Sequence, residues 1–241
     1  MQEYDLILSL TTWKKRINDQ SLKYVIYTML KQKTSAKYKV VLVLSTDEFP
    51  DKNIPAWIYE LDKACDWFEL LWTKENTRAY KKYFPVRRKY PDENICPLDD
   101  DSPLHDNFVE TFTNLLKNNP GRMIIGTNHF QHNTSHTIQC VRYGAACFRP
   151  DSLYDLDEFV GRKYFGEHDD EFFALLSVLN ATKSVRVDIH KYIDVDAFQQ
   201  QVKLQNVTNM NYRNLSSLWN MFFKDHPNLA RQYRENKNKH N

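Results

Sequence analysis

The stretch Val40-Val41-Leu42-Val43-Leu44-Ser45 is an unbroken apolar run, rich in β-branched residues, that ends in a serine. Such a run predicts a strand buried on both faces, as in parallel sheets that are covered by helices. Residues 6–10 and 68–72 form two further apolar runs, and apolar residues at helical spacing lie between the runs over 21–31 and 54–64. The first third of the chain therefore predicts alternating strands and helices.

A fourth, shorter strand is predicted over residues 94–98, although Pro97 weakens it because proline cannot donate to a ladder. Residues 80–90 before it predict a basic, aromatic helix. Right-handed crossovers between these strands build an α/β fold with a mainly parallel sheet flanked by helices. In such sheets ligands bind beyond the carboxyl ends of the strands. Four polar segments fall there: residues 9–12, 45–47, 73–77 and 99–101.

The rest of the chain extends this pattern with a buried strand over 123–125 and a strand-like segment around Gly144. Residues 172–179 carry the apolar stripe of a core-facing helix. We expect residues 1–193 to form one catalytic domain. Residues 194–241 are expected to form a helical or polar C-terminal extension, with partial disorder of that extension as an open alternative.

The composition narrows the classes of protein. The 241 residues are 41% hydrophobic, which is enough for one large core. Lys and Arg number 33 against 31 Asp and Glu, so the net charge of +2 gives no field that would favour nucleic acid as a partner. The four cysteines lack the CxxC spacing of zinc sites and the density of disulfide scaffolds, which favours a reducing cytosol.

The chain has no apolar run of about 18 residues that could span a bilayer and no signal-peptide pattern, so we expect a soluble cytoplasmic protein. The C-terminal tail is basic, with Arg231, Arg234, Lys237 and Lys239. It either frays in solvent or contacts an anionic surface, such as the cytoplasmic face of the inner membrane. We favour fraying, because no strongly amphipathic helix accompanies the basic residues.

An acidic run, Asp99, Asp100 and Asp101, follows the fourth predicted strand, and the pleat sends Asp99 and Asp101 to one side. Adjacent carboxylates repel each other unless a cation lies between them. Their oxygens suit Mg²⁺ or Mn²⁺, which take further ligands from substrate phosphates, such as those of a nucleoside diphosphate. The alternative is a solvated acidic loop, or an N-cap for a helix near Asp106.

Six short motifs occur in order between residues 5 and 190: LSLTTWKKRI (8–17), LS with EFP (44–50), AYKKY (79–83), LDDD (98–101), YGAACFRPDSL (143–153) and HDDEFF with LN (168–180). Together they resemble a group of bacterial GT-A glycosyltransferases, similar to family 2, that build surface polysaccharides or lipooligosaccharides. The resemblance implies a GT-A fold, a uridine-linked sugar as donor, Mn²⁺ or Mg²⁺ as cofactor, and a glycan or glycolipid acceptor.

The resemblance also implies residue roles. Thr11, Thr12 and Arg16 would contact the nucleotide, and Lys81 or Lys82 would approach the diphosphate. The donor and its cation would be held by the acidic run, with Asp99 and Asp100 on the donor and Asp99 and Asp101 on the metal. The alternative for the two lysines is a solvated basic helix face, and for Arg16 a surface charge run.

Asp169 and Asp170 are the candidates for general base, with a slight preference for Asp170. One carboxylate within reach of the acceptor hydroxyl would take its proton during attack on the anomeric carbon. We expect inversion, because a base is visible and a separate nucleophile is not. The alternative is that these acids only stabilise a helix N-terminus.

Histidines add weaker candidates for metal binding. His190 follows a predicted last strand, where some GT-A enzymes place an extra ligand, although a lone histidine is more often structural. His129, His132 and His136 favour a polar loop near the acceptor over a zinc site. After the acidic run, residues 102–105 depart from the family's usual apolar sequence, so the identity of the donor sugar cannot be inherited from relatives.

Two other functions remain open. A nucleotidyltransferase would share the sheet and the acidic site, but it commonly has a Gly-rich loop after the first strand. This chain has 5 glycines and none before Gly121, which disfavours that class. A carbohydrate- or nucleotide-binding protein on a transferase fold, with catalysis lost, is the non-enzyme alternative.

Overall fold

The computed structural model describes residues 2–127, 145–194 and 215–239 of the chain. Its strands are β1 (Leu6–Thr11), β2 (Tyr38–Ser45), β3 (Phe68–Thr73), β4 (Ile95–Leu98), β5 (Arg122–Thr127), β6 (Ala146–Cys147) and β7 (Lys183–Asp188). Its α-helices are α1 (Gln20–Leu30), α2 (Ala56–Ala64), α3 (Phe84–Lys89), α4 (Phe108–Asn118), α5 (Glu158–Phe165), α6 (Asp169–Leu179), α7 (Leu215–Asp225) and α8 (Pro227–Lys239). Short 3-10 helices cover Arg78–Lys82 and Ile189–Lys191.

The first four strands form one parallel sheet in the order β3-β2-β1-β4. At its centre, Leu10 of β1 pairs with Leu42 of β2 and with Leu98 of β4. These three strands are almost wholly buried, which accounts for their continuous apolar runs. The predicted mainly parallel α/β sheet flanked by helices is confirmed.

A second sheet has the order β6-β5-β7, in which β5 is parallel to β7 and antiparallel to β6. An antiparallel bridge between Ile95 and Phe148 joins β4 to the end of β6, so the two sheets meet along one seam. Of the strand-like segment predicted around Gly144, Ala146–Cys147 forms a strand, and Gly144 itself lies outside the described residues.

The single helix predicted over residues 80–90 is wrong. The 3-10 helix ends at Lys82, Tyr83 is non-helical with φ −120° and ψ −61°, and α3 begins at Phe84. Pro85 has no N–H to donate to the carbonyl of Lys81, so a continuous helix would lose a hydrogen bond there. The break places Lys81 and Lys82 at the end of the 3-10 helix and not inside a longer α-helix.

The two C-terminal helices pack on α5 and α6. The Trp219 ring of α7 lies 5.4 Å from the Phe165 ring of α5, measured between centroids. The Asn236 amide of α8 donates to the carbonyl of Leu179 at the end of α6 at 2.9 Å. These helices therefore share a core with the helix that begins at Asp169.

Several predictions fall on residues that the structure does not describe: the histidine group at His129, His132 and His136, and residues 195–214 of the extension. Within the described part of the chain, no helix combines the length and apolar character that a membrane crossing needs.

Candidate functional site

Strands β1 and β4 are neighbours, so the loops that follow them meet at one edge of the sheet. Thr12 follows β1, and its hydroxyl donates to a carboxylate oxygen of Asp100, after β4, at 2.5 Å. The hydroxyl of Thr11 donates instead to the carbonyl of Val43 at 2.7 Å, within the sheet. Thr12 therefore reaches the acidic run, whereas the Thr11 hydroxyl is used by the sheet.

Arg16 is a second partner of the acidic run. Its Nη2 atom lies 2.9 Å from Oδ1 of Asp100 and 3.1 Å from Oδ2 of Asp101. The residue is 9% exposed, so it does not belong to a solvated charge run. The loop after β1 thus supplies a cation to the loop after β4.

Lys82 is the second cation of the site. Its Nζ atom lies 2.9 Å from Oδ1 of Asp99 and 3.0 Å from Oδ2 of Asp169. Burial alone would lower the pKa of Lys82, but the carboxylates of Asp169, Asp99 and Asp170 outweigh it and hold that pKa well above its usual value. One ammonium therefore joins the acidic run to the start of α6.

Lys81 points to a different cluster, at the ends of β2 and β3. Its Nζ atom lies 3.1 Å from Oε2 of Glu48, 2.8 Å from Oδ1 of Asn76 and 3.5 Å from the Ser45 hydroxyl. Burial lowers the pKa of Lys81, and the charge of Glu48 opposes this. Since Lys81 and Lys82 are 1% and 7% exposed, the alternative of a solvated basic face is excluded.

The N-terminus of α6 faces the acidic run. Asp169 is 7% exposed and pairs with Lys82, whereas Asp170 lines a cavity of about 20 Å³, room for about one water. Asp99 lines the same cavity. The lining residues are Lys82, Pro97, Asp99, Ala145, Ala146, Phe148, Asp170 and Phe173. The candidate base and the candidate metal ligand therefore share one cavity.

The described residues of this site carry more negative than positive charge. The acids are Asp99, Asp100, Asp101, Asp169 and Asp170, and the cations that contact this group are Arg16 and Lys82. Burial, followed by the charge of its neighbouring carboxylates, raises the pKa of Asp170 well above its usual value. Burial also raises the pKa of Asp100 to about 7, although Arg16 opposes this. By contrast, Lys82 holds the pKa of Asp99 below its usual range. A further bound cation would relieve the excess charge.

The acids fit a hard divalent cation in charge and ligand type. The side chains of Asp99 and Asp101 are 50% and 32% exposed, so their oxygens are accessible. Mg²⁺ commonly takes one or two carboxylates and completes its shell with water and substrate phosphates. In residues 2–127, 145–194 and 215–239, no group of three or more His, Cys, Asp or Glu side chains could hold a metal ion unaided. Phosphate oxygens would have to complete the site.

His190 is exposed and lies in the 3-10 helix Ile189–Lys191, where its backbone N–H donates to Oδ1 of Asp188 at 3.3 Å. It does not form a three-residue metal group with Asp99 and Asp101 in the part of the chain described. Its role as a ligand stays a prediction.

Asn76 is a residue of this region that the sequence did not single out. Its side-chain oxygen accepts from Lys81 Nζ and from the backbone N–H of Arg78, and its backbone carbonyl accepts from Arg162 Nη1 at 2.6 Å. Its own N–H donates to Asp47 at 3.3 Å. The available signal was its position in the polar segment after β3, which located the loop without showing its contacts.

No protein-family model matches the sequence, and no curated protein matches it. Among solved structures, residues 1–349 of the S. aureus glycosyltransferase TarS in complex with UDP match with a TM-score of 0.55 and 14% identity, over 80% of this chain and 60% of that one.

The mannosyltransferase PcManGT from Pyrobaculum calidifontis, in complex with GDP-Man and Mn²⁺, matches with a TM-score of 0.51 and 14% identity, over 77% of this chain and 55% of that one. The chain has a GT-A fold. It spans about 60% of the TarS segment and about 55% of PcManGT. At these identities the likeness establishes the GT-A fold alone.

Proposed function

We propose that this chain is a metal-dependent glycosyltransferase that moves a sugar from a nucleoside diphosphate sugar, uridine-linked, to a hydroxyl of a bacterial surface glycan or glycolipid. The observation that carries the proposal is the meeting of Asp99 and Asp170 at one cavity at the sheet edge of a GT-A fold. TarS was solved with UDP and PcManGT with GDP-Man, which supports a nucleotide sugar as the donor.

The donor would lie over the carboxyl ends of β1 and β4. Asp99 and Asp101 would hold Mn²⁺ or Mg²⁺, which would neutralise charge on the leaving diphosphate. Thr12 and Arg16 bind the neighbouring Asp100 through a hydrogen bond and an ion pair. These contacts are made within the protein, so the acidic run is organised before any donor binds.

Asp170 would serve as the general base on the acceptor side. Its carboxylate takes the proton of the acceptor hydroxyl as that oxygen bonds to the anomeric carbon and the bond from that carbon to the diphosphate breaks. This single displacement inverts the anomeric configuration. Burial raises the pKa of Asp170, which makes its carboxylate a stronger base than an exposed one, whereas Asp169 is already paired with Lys82.

Turnover with a panel of nucleotide sugars tests the proposal. We expect release of nucleoside diphosphate in Mn²⁺ or Mg²⁺ and its loss in EDTA. Asp170→Asn should lower kcat by at least about 100-fold and retain the thermal shift caused by UDP with Mn²⁺. That shift should correspond to about 2.7 kcal/mol at 100 times the Kd.

The matched control is Asp51→Asn, which changes an exposed acid away from the cavity and should keep full turnover. If no donor is turned over or bound, the chain is not a transferase. If nucleotide binds but neither the wild type nor Asp170→Asn turns it over, the chain is a nucleotide-binding protein on this fold.

A further inference from the structure

Lys82 occupies an unusual place for a basic residue near a candidate diphosphate site. Its side chain is 9% exposed, and its single ammonium contacts two carboxylates that belong to different elements. Asp99 lies in the loop after β4, and Asp169 is the first residue of α6. Lys82 is therefore the link between the candidate metal side and the candidate base side of the cavity.

The backbone of Lys82 is held firmly where it delivers this ammonium. The Ser9 hydroxyl of β1 donates to the Lys82 carbonyl, in the centre of the sheet. Tyr80 and Tyr83, which flank Lys82 in the sequence, are 0% and 3% exposed. Both rings pack on Phe173 of α6, with centroids 6.3 Å away for Tyr80 and 5.3 Å away for Tyr83. The side chain thus extends from a backbone segment that is hydrogen-bonded to β1 and flanked by residues packed on α6.

Direct contact between Lys82 and a diphosphate would require the ammonium to leave its carboxylates. Asp169 is 7% exposed, and the loss of its cation would leave a buried carboxylate without a compensating charge, which is strongly destabilising. Asp99 would lose the same partner at the moment when its oxygens are needed for the cation. The observed arrangement suits an ammonium that stays in place while ligands bind around it.

We propose that Lys82 is a positioning residue: it holds Asp99 and Asp169 in fixed relation, so that the acid that binds the donor's cation and the start of α6 that carries Asp170 face the same cavity. This inference rests on the proposed glycosyl transfer and assigns Lys82 to the protein framework, not to the diphosphate. Removal of its charge would leave Asp99 available to bind the donor's cation but would disturb the alignment of donor and base.

Three variants test this inference. Lys82→Met removes the charge, Lys82→Arg keeps it, and Lys89→Met is the control. Lys89 belongs to the same basic segment, and its side chain is 46% exposed. Lys82→Met should lower kcat about 100-fold, the size expected for a misplacement of about 1 Å, while the KM for the donor and the Kd for UDP with Mn²⁺ change by less than about threefold. Lys82→Arg should recover most of kcat, and Lys89→Met should match the wild type.

Two results would overturn the inference. A Kd for UDP that rises tenfold or more in Lys82→Met, with kcat retained, would make Lys82 a ligand of the diphosphate. An unchanged kcat would leave it without a role in the reaction.

Hydrogen exchange provides a readout that does not depend on activity. Lys82→Met should speed exchange in residues 98–101 and 168–173 relative to Lys89→Met, and the double variant Lys82→Met with Asp169→Asn should slow it again because the buried charge is gone. Unchanged exchange contradicts the positioning role even if the wild type has no turnover. Absence of turnover in the wild type, with the exchange pattern as expected, contradicts the proposed function alone.

Discussion

Arg16 supplies a charge that the acidic run needs before any ligand binds. Its guanidinium contacts Asp100, whose side chain is 8% exposed, and the more exposed Asp101. Burial already raises the pKa of Asp100 to about 7 with Arg16 in place. The guanidinium and Thr12 therefore stabilise a carboxylate that burial disfavours.

Arg16→Ala should destabilise the protein in EDTA by about 3 kcal/mol, because it removes one partner of a buried ion pair. Urea denaturation measures this change. The control Lys33→Ala removes a cation whose side chain is 80% exposed, and it should cost less than about 1 kcal/mol. Arg16→Ala combined with Asp100→Asn should be more stable than Arg16→Ala alone. A cost for Arg16→Ala no larger than that for Lys33→Ala would contradict the buried pair.

At the scale of elements, Gly161 sets how closely α5 approaches the site. A Cβ atom at this position would lie 2.6 Å from Cδ1 of Phe172 and 2.8 Å from Cε1 of Tyr80. Both rings are fully buried. Phe172 belongs to α6, which carries Asp170, and Tyr80 belongs to the 3-10 helix that carries Lys82. The glycine therefore allows α5, α6 and the 3-10 helix to meet in close contact.

Gly161→Ala should destabilise the protein by about 1–2 kcal/mol. Overpacking costs about 1–3 kcal/mol, and the better helix propensity of alanine returns up to about 1 kcal/mol. Thermal unfolding measures the net effect. Gly161→Ala combined with Phe172→Leu should be more stable than the sum of the two single variants predicts, because the smaller side chain gives room to the new methyl group. Strict additivity would show that the two residues do not press on each other.

The elements differ in how far the sequence predicts them. Val40–Leu44 is a continuous apolar run because β2 is buried on both faces, and that pattern is local to the strand. The prediction of one continuous helix over residues 80–90 was wrong, because Pro85 removes a backbone donor and Tyr83 is non-helical. Lys81 and Lys82 both precede this break, as consecutive residues of the 3-10 helix, yet their side chains reach different clusters. The sequence could name both lysines as candidates but could not show this division.

For the acidic site, too, the sequence could name candidate residues but could not show their contacts. Asp99 could be selected from the sequence because it follows a predicted strand, whereas Thr12 and Asp170 were selected because they lie in motifs that resemble the GT-A glycosyltransferases. Their contacts depend on the neighbour relation of β1 and β4 and on the packing of α6 behind them. Asn76 was missed because its four hydrogen bonds depend on the tertiary fold or on the local turn. Two join it to Asp47 and Arg162, which are distant in sequence, and two join it to Arg78 and Lys81 in the turn that follows.

The C-terminal helices α7 and α8 pack against the rest of the molecule. Trp219 of α7 is 3% exposed and contacts Phe165 of α5 as well as Tyr233 of α8, with ring centroids 5.4 and 5.5 Å away. The hydroxyl of Tyr164 in α5 also donates to Asp225 at the end of α7 at 2.9 Å. These contacts extend the core behind α6 into residues 215–239, so we expect the extension and the catalytic part to unfold together.

Trp219→Ala should therefore destabilise the entire protein, by about 3–5 kcal/mol for a large buried aromatic side chain. In a chain of this length the single unfolding transition should move down by roughly 10 °C. Met221→Ala lies on the same helix, but the methionine is 43% exposed, so this control should leave the transition nearly unchanged.

Calorimetry, with near-UV dichroism and the UDP–Mn²⁺ thermal shift recorded on the same samples, distinguishes an independent C-terminal unit from one that unfolds together with the catalytic part. A separate low-temperature transition that appears only in Trp219→Ala, with the shift by UDP intact, would mean that the C-terminal helices are an independent unit. A common transition would instead show that α7 stabilises α5 and α6, because the loss of one buried indole would weaken the core that holds the helix carrying Asp169 and Asp170.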